Sequence, residues 1–191
     1  MIRRAKITDV PRIAELISQH ARKGKMLFRS YAELYETLRD FVIYEADEGQ
    51  HTGLVTGTCA LEIVWADLAE VKSLSVDENF QKRGIGRKLV EAVVDEAREL
   101  RIQKVFALTY EPEFFGKLGF KVVEKGTLPL KVWSDCIKCP KRDGCDEIAV
   151  VRELMEGPAL TDVSPDSVEN LRYDVPTPLV KININKGTGS N

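Results

Sequence analysis

The chain has 191 residues, 43% hydrophobic and 30% charged, and a formal net charge of −2. Those values describe one folded domain with a modest appendage, and they lack the basic surplus that general nucleic-acid binding requires. Ile2 is followed at once by Arg3, Arg4 and Lys6, and no apolar run of about 18 residues follows, so neither an export leader nor a membrane span is indicated. The expectation is a cytoplasmic protein with reduced cysteines that makes no contact with nucleic acid or membrane.

In chain order, residues 2–7 predict a short strand. Thr8 and Asp9 offer caps and Pro11 a first-turn residue for a helix carried by Ile13, Leu16, Ile17 and Ala21. Ser30 and Glu33 have the spacing of a capping box, with Tyr31, Leu34, Tyr35 and Leu38 as the stripe of a second amphipathic helix. Strands are predicted at 41–46, 53–64 (with Gly57 in or near it) and 69–76. A helix follows over 84–100, with Leu89, Val93, Ala97 and Leu100 on one stripe. A strand at 104–109 leads to a short helix that Pro112 opens and Leu118-Gly119 closes, and the last strands fall at 120–123 and 147–152. The fold class is α/β (α+β), a mixed central sheet with helices on both faces. Residues 1–155 form the domain. Residues 156–191, interrupted by Pro158, Pro165, Pro176 and Pro178, read as a tail, flexible or laid on the domain or a partner.

The segment 69–91, AEVKSLSVDENFQKRGIGRKLVE, carries the chemistry. A strand runs through an acidic loop into Gln81, Lys82, Arg83, Gly84, Ile85, Gly86 and Arg87, then into a helix. Glycine allows the backbone to approach a ligand closely, and a helix N-terminus presents free N–H groups and a positive dipole end, which suits a phosphate or pyrophosphate. The Walker pattern is absent, and the third glycine of a dinucleotide fingerprint is replaced by Leu89. From the glycines alone, a turn before a surface helix is an equally good reading.

Gln-x-x-Gly-x-Gly between a strand and a helix resembles the acetyl-CoA signature of the GNAT superfamily. The later segment Phe114-Phe115-Gly116-Lys117-Leu118-Gly119-Phe120 resembles that family's aromatic helix ending in Gly-Phe. The resemblance covers about residues 1–155 and implies an N-acetyltransferase of the GNAT fold with acetyl-CoA as co-substrate. It implies that the backbone of Leu74, Ser75 and Val76 pairs with the pantetheine arm and that the amides from Gln81 to Arg87 hold the pyrophosphate. It also implies a splay between the strands at 69–76 and 104–109 that admits the thioester.

Transfer requires a neutral amine and therefore a base. Glu70, on the strand beside the thioester, is the candidate; by itself it reads as a solvated carboxylate at a strand start. An N–H near Ser73 or Leu74 would hold the oxyanion. Phe115 occupies the position where many family members carry a tyrosine acid. Tyr110 is the nearest substitute, with packing at a strand end as its plain alternative.

Leu27-Phe28-Arg29-Ser30, Leu68-Ala69-Glu70-Val71-Lys72-Ser73-Leu74-Ser75-Val76 and Leu128-Pro129-Leu130-Lys131-Val132-Trp133-Ser134-Asp135-Cys136 are similar to N-acetylglutamate synthases, the last segment to their short single-domain form. That similarity implies L-glutamate as the acceptor and a place at the start of arginine biosynthesis. Arg29 would hold one carboxylate, and Lys131, with Lys72 nearby, the other. Read alone, each is a surface cation. Another amine acceptor and a non-catalytic acetyl-CoA-binding module are the alternatives, and a homodimer is left open. Cys136-x-x-Cys139 and Cys145 resemble three zinc ligands without an evident fourth, so packed thiols are the preferred reading and no metal is assigned. Cys59 reads as a core residue, and His20 and His51 as surface residues.

Overall fold

The computed structural model describes residues 1–47, 51–128 and 145–155. Their order is β1 (Ile2–Arg4), α1 (Val10–Ala21), α2 (Tyr31–Glu36), β2 (Phe41–Glu45), β3 (Val55–Trp65), β4 (Leu68–Val76), α3 (Ile85–Glu99), β5 (Lys104–Thr109), α4 (Pro112–Gly116), β6 (Lys121–Val123) and β7 (Ile148–Glu153). The strands form one sheet in the order β1-β2-β3-β4-β5-β7-β6. Every neighbouring pair is antiparallel except β4 and β5, which run parallel with α3 as their crossover. The mixed sheet matches the predicted fold class, and each predicted element is present with ends shifted by a few residues.

The sheet carries a core on each face because strand side chains alternate. Cys59, Leu61, Ala69 and Val71 face α3, whose buried stripe is Ile85, Leu89, Val90, Val93, Val94 and Ala97. Phe41, Ile43 and Ala60 point the other way, onto Val10, Ile13, Leu16 and Ile17 of α1. Gly57 lies in β3 under α3. A Cβ there would meet Leu89 Cδ1 at 2.9 Å, Ile85 Cγ2 at 3.0 Å and the Ser75 carbonyl oxygen at 3.3 Å, so the missing side chain lets the helix sit directly on the sheet.

Two local expectations need correction. The first strand ends at Arg4, because a 3-10 turn (Ile7–Asp9) precedes α1. Asp9 serves that turn by accepting the Lys6 N–H at 2.7 Å, and it receives a two-pronged ion pair from Arg3 at 2.7 and 3.0 Å. The second helix has six residues rather than a long amphipathic stripe: Leu34 is buried while Tyr31 and Tyr35 are exposed. The capping box does form, with Ser30 N–H donating to Glu33 at 2.8 Å and Glu33 N–H to Ser30 Oγ at 3.2 Å. Thr37 Oγ1 then donates to the Glu33 carbonyl at 2.8 Å, and the chain turns toward β2. Lys131, Cys136, Cys139 and the expected tail lie outside the described residues.

Candidate active site

β4 is the organising element. It pairs with β5 only through Leu68, Ala69 and Glu70, opposite Lys104, Val105 and Phe106. β4 continues to Val76 and β5 to Thr109, but beyond Glu70 the two strands part, and β5 keeps its pairing with β7 up to Thr109 opposite Ile148. The predicted splay therefore opens at Glu70. It forms a cleft of about 1260 Å³ lined by residues of β4, the α3 N-terminus, the α1–α2 connection and the start of α4.

On its other edge β4 carries an irregularity at the same level. Thr58 pairs with Ser75 and Ala60 with Lys72, so Ser73 and Leu74 together oppose the single residue Cys59. Such a bulge interrupts the hydrogen-bond ladder and re-aims the backbone. Ser73 takes φ +54°, which is costly for a residue with a Cβ and is held by the flanking pairs. Nothing in the sequence announced this bulge: Lys72-Ser73-Leu74-Ser75 reads as ordinary strand.

Strand alternation puts Glu70 and Lys72 on the face away from α3, and both line the cleft. Lys72 forms an ion pair with Glu62 on β3, opposite Glu70 in register. Arg29, from the connection before α2, lines the same cleft with Phe28. Tyr110, at the end of β5, lines it too and donates its hydroxyl to Asp146 at 2.8 Å.

At the far end, Gly84 caps α3 with φ +78°, a conformation suited to glycine. No side chain caps the helix, which leaves its first N–H groups without an intrahelical acceptor, and its first residues line the cleft. A Cβ on Gly86 would touch Phe114 at 3.5 Å and Val76 at 3.8 Å, ordinary contacts, so the protein's own packing does not require glycine there. Gln81, Lys82, Gly84, Ile85, Gly86 and Arg87 line the cleft. The Arg83 side chain turns aside, its guanidinium 5.0 Å above the Phe80 ring and donating to the Asn79 carbonyl at 3.1 Å. Ser75 is buried, with its hydroxyl 3.4 Å from the Met26 sulfur, so only its backbone is on offer to a ligand.

His20 departs from its sequence reading. It lines the cleft at the end of α1, with Nε2 3.1 Å from the Val76 carbonyl oxygen. Gln81 Nε2 donates to the same oxygen at 3.3 Å. The i+3 and i+4 spacing from Leu16 and Ile17 put His20 near the sheet-facing side of α1, a signal that could have found it. His51, by contrast, is exposed and stacks edge-on against Phe80. Cys59 is a core residue as expected, its thiol pushed up to about 12 by burial. Cys145 is half-exposed and lines the cleft, with Lys125 Nζ 3.5 Å from its sulfur. Among the described residues no cluster of three histidines, cysteines or carboxylates could hold a metal, and no helix is long and apolar enough to cross a membrane.

Comparison with known proteins gives a consistent answer. Residues 12–120 match the Acetyltransferase (GNAT) family. The chain is 40% identical to an uncharacterized N-acetyltransferase of Chlorobaculum tepidum over 80% of its own length and 96% of that protein. It is 35% identical to the amino-acid acetyltransferase of Mycobacterium tuberculosis, covering 71% of this chain and 76% of the relative. Among solved structures, N-acetylglutamate synthase from Neisseria gonorrhoeae, complexed with coenzyme A and N-acetyl-glutamate, superposes with a TM-score of 0.72 at 31% identity, over 82% of this chain and 35% of that one. A Mycobacterium tuberculosis protein crystallised with CoA gives 0.70 at 29% identity, over 81% and 99%.

Proposed function

This chain belongs to the GNAT acetyltransferase family and is an N-acetyltransferase, and we propose that it transfers the acetyl group of acetyl-CoA to the α-amine of L-glutamate. The observation that carries this reading is the cleft that opens at Glu70: one carboxylate at the fork of two parallel strands, a bulged backbone just beyond it, a helix N-terminus at the far end and Arg29 on the wall. The relatives support the acceptor. One bears the name amino-acid acetyltransferase, and one solved synthase holds N-acetyl-glutamate and coenzyme A.

The α3 N-terminus and the Gln81–Arg87 backbone hold the pyrophosphate of acetyl-CoA, and the freed edge of Leu74 to Val76 pairs with its pantetheine arm. The thioester then lies at the fork. Arg29 grips a carboxylate of glutamate through paired N–H donors, with Lys72 adding positive charge nearby. Glu70 takes a proton from the incoming ammonium, directly or through one water, so that the nitrogen lone pair can attack. As the N–C bond forms, the carbonyl electrons move to oxygen, and a backbone N–H freed by the bulge at Ser73 and Leu74 stabilises that charge. Collapse restores the carbonyl, breaks the C–S bond and releases CoA thiolate, while the second proton on nitrogen, made acidic by the new N–C bond, leaves to solvent and gives the neutral amide. The thiolate takes its proton from solvent or from Tyr110; as donor, Tyr110 must first release Asp146.

Glu70→Gln and Arg29→Ala separate the two halves of the reading in an assay of CoA release with L-glutamate. Glu70→Gln lowers kcat by about 10² to 10⁴, the usual weight of a general base, and leaves the KM for acetyl-CoA near the native value. Arg29→Ala raises the KM for glutamate. Full turnover in Glu70→Gln removes the base assignment, and an unchanged glutamate KM in Arg29→Ala removes the carboxylate clamp.

A further inference from the structure

β6 gives way to a 3-10 turn at Lys125–Thr127, and the side chain of Lys125 returns from it to the wall of the same cleft. Its ammonium donates to the Cys145 carbonyl at 2.9 Å and contacts the Cys145 sulfur at 3.5 Å. An ammonium has three N–H donors. Two are engaged, both by neutral acceptors, and among the described residues no carboxylate lies within ion-pair distance of Lys125.

The other lysines of the cleft outside the phosphate loop differ in this respect. Lys25 pairs with Glu111 at 3.1 Å and Lys72 with Glu62. None of the cleft's carboxylates forms an ion pair with Lys125 among the described residues. Glu111 holds Lys25 and Glu33 closes its capping box on Ser30, whereas Glu70 stands at the fork and Glu147 meets the same Cys145 sulfur at 3.9 Å, neither of them in an ion pair with Lys125. A half-buried cation without an ion pair is well satisfied by an anionic ligand, because burying a charge is costly unless it is paired.

We propose that Lys125 binds the side-chain carboxylate of the acceptor and so selects a dicarboxylic amino acid over its side-chain amide. The inference rests on the glutamate reading above and adds a second anchor to Arg29. The Cys145 carbonyl and sulfur hold the amine in place, and the third N–H is left for the substrate. The carboxylate of glutamate accepts that bond with full charge assistance, while the amide of glutamine accepts a weaker, neutral one. In the sequence reading the second carboxylate falls to Lys131, with Lys72 nearby, and Lys125 is not singled out.

The test measures kcat and KM with L-glutamate and L-glutamine as competing acceptors, in the native chain and in Lys125→Met and Lys125→Arg. Lys125→Met raises the KM for glutamate about 10- to 100-fold, the weight of a hydrogen bond to a charged group. It erases the glutamate-over-glutamine preference and leaves the acetyl-CoA KM and the melting temperature unchanged. Lys125→Arg keeps most of the preference. A native glutamate-to-glutamine ratio of kcat/KM in Lys125→Met overturns the inference while leaving the glutamate reading intact. An equal loss for both acceptors accompanied by a lower melting temperature also overturns it, because that marks a structural role. A native enzyme that does not acetylate glutamate overturns the glutamate reading itself, and the role of Lys125 falls with it.

Discussion

Gly86 separates ligand approach from folding at a single residue. Adding one methyl at Gly86 meets Phe114 and Val76 at ordinary contact distance, and alanine is the better helix former. Gly86→Ala is therefore expected to fold and melt like the native chain. Its methyl would stand among the N–H groups proposed for the pyrophosphate, and a loss of about 1.4 kcal/mol corresponds to tenfold weaker acetyl-CoA binding. Titration calorimetry beside a thermal melt checks both halves, and native affinity would remove the close approach from the account. At this scale the sequence was readable for the placement of several candidate residues. Gly84 and Gly86 stand at a helix start, and Glu70 and Arg29 fall on one cleft. It was less readable where direction matters. Arg83 is as basic as its neighbours, yet it stacks on Phe80. His20 looked like a surface residue and faces β4. Neither outcome is set by residue type, because both depend on which element packs above.

The elements succeed or fail with the contacts between them. The base of α3 rests on Gly57, and a Cβ there meets side chains below 3.0 Å and at 3.0 Å, with backbone at 3.3 Å. Gly57→Ala is expected to destabilise the fold by about 1–3 kcal/mol through overpacking, readable in urea unfolding; an unchanged midpoint would show that Leu89 and Ile85 yield freely. A second fixed point is the β1–α1 corner. Burial pushes the Asp9 carboxyl upward, but the Arg3 hydrogen bonds and the Lys6 N–H outweigh it, so the folded pKa lies below the ordinary value of 3.8. A depressed carboxylate stabilises the fold above its unfolded pKa, and that contribution is lost as pH falls through the folded value. Stability should decline with acid below about pH 4–5, and Asp9→Asn should lower stability at pH 7 and flatten that decline. The same acid profile in Asp9→Asn as in the native chain would assign the decline elsewhere. Sequence periodicity gave the elements their order, since β3 and α3 carry strong patterns. It overextended α2 because Tyr31 and Tyr35 mimic a buried stripe, and it missed the β4 bulge because register belongs to a pair of strands and not to either alone.

At the scale of the whole molecule, the sheet is a frame that splits once. Five of its six neighbouring strand pairs are antiparallel, and the one parallel pair, β4 with β5, parts after three residue pairs. Everything assigned to chemistry lies along that split, from the α3 N-terminus to Glu70 and on to Arg29 and Lys125. The chain spans nearly all of the Chlorobaculum tepidum relative but only 29% of the amino-acid acetyltransferases of Neisseria meningitidis, so it matches one part of those longer proteins. The acceptor is the central claim, and competition tests it most directly. The protein is given acetyl-CoA labelled with ¹³C in the acetyl group, together with all common amino acids at equal concentration, and the labelled products are identified by mass spectrometry. The account predicts N-acetylglutamate as the dominant labelled product, falling in Arg29→Ala. Label on a different amine, or none on glutamate, would contradict it.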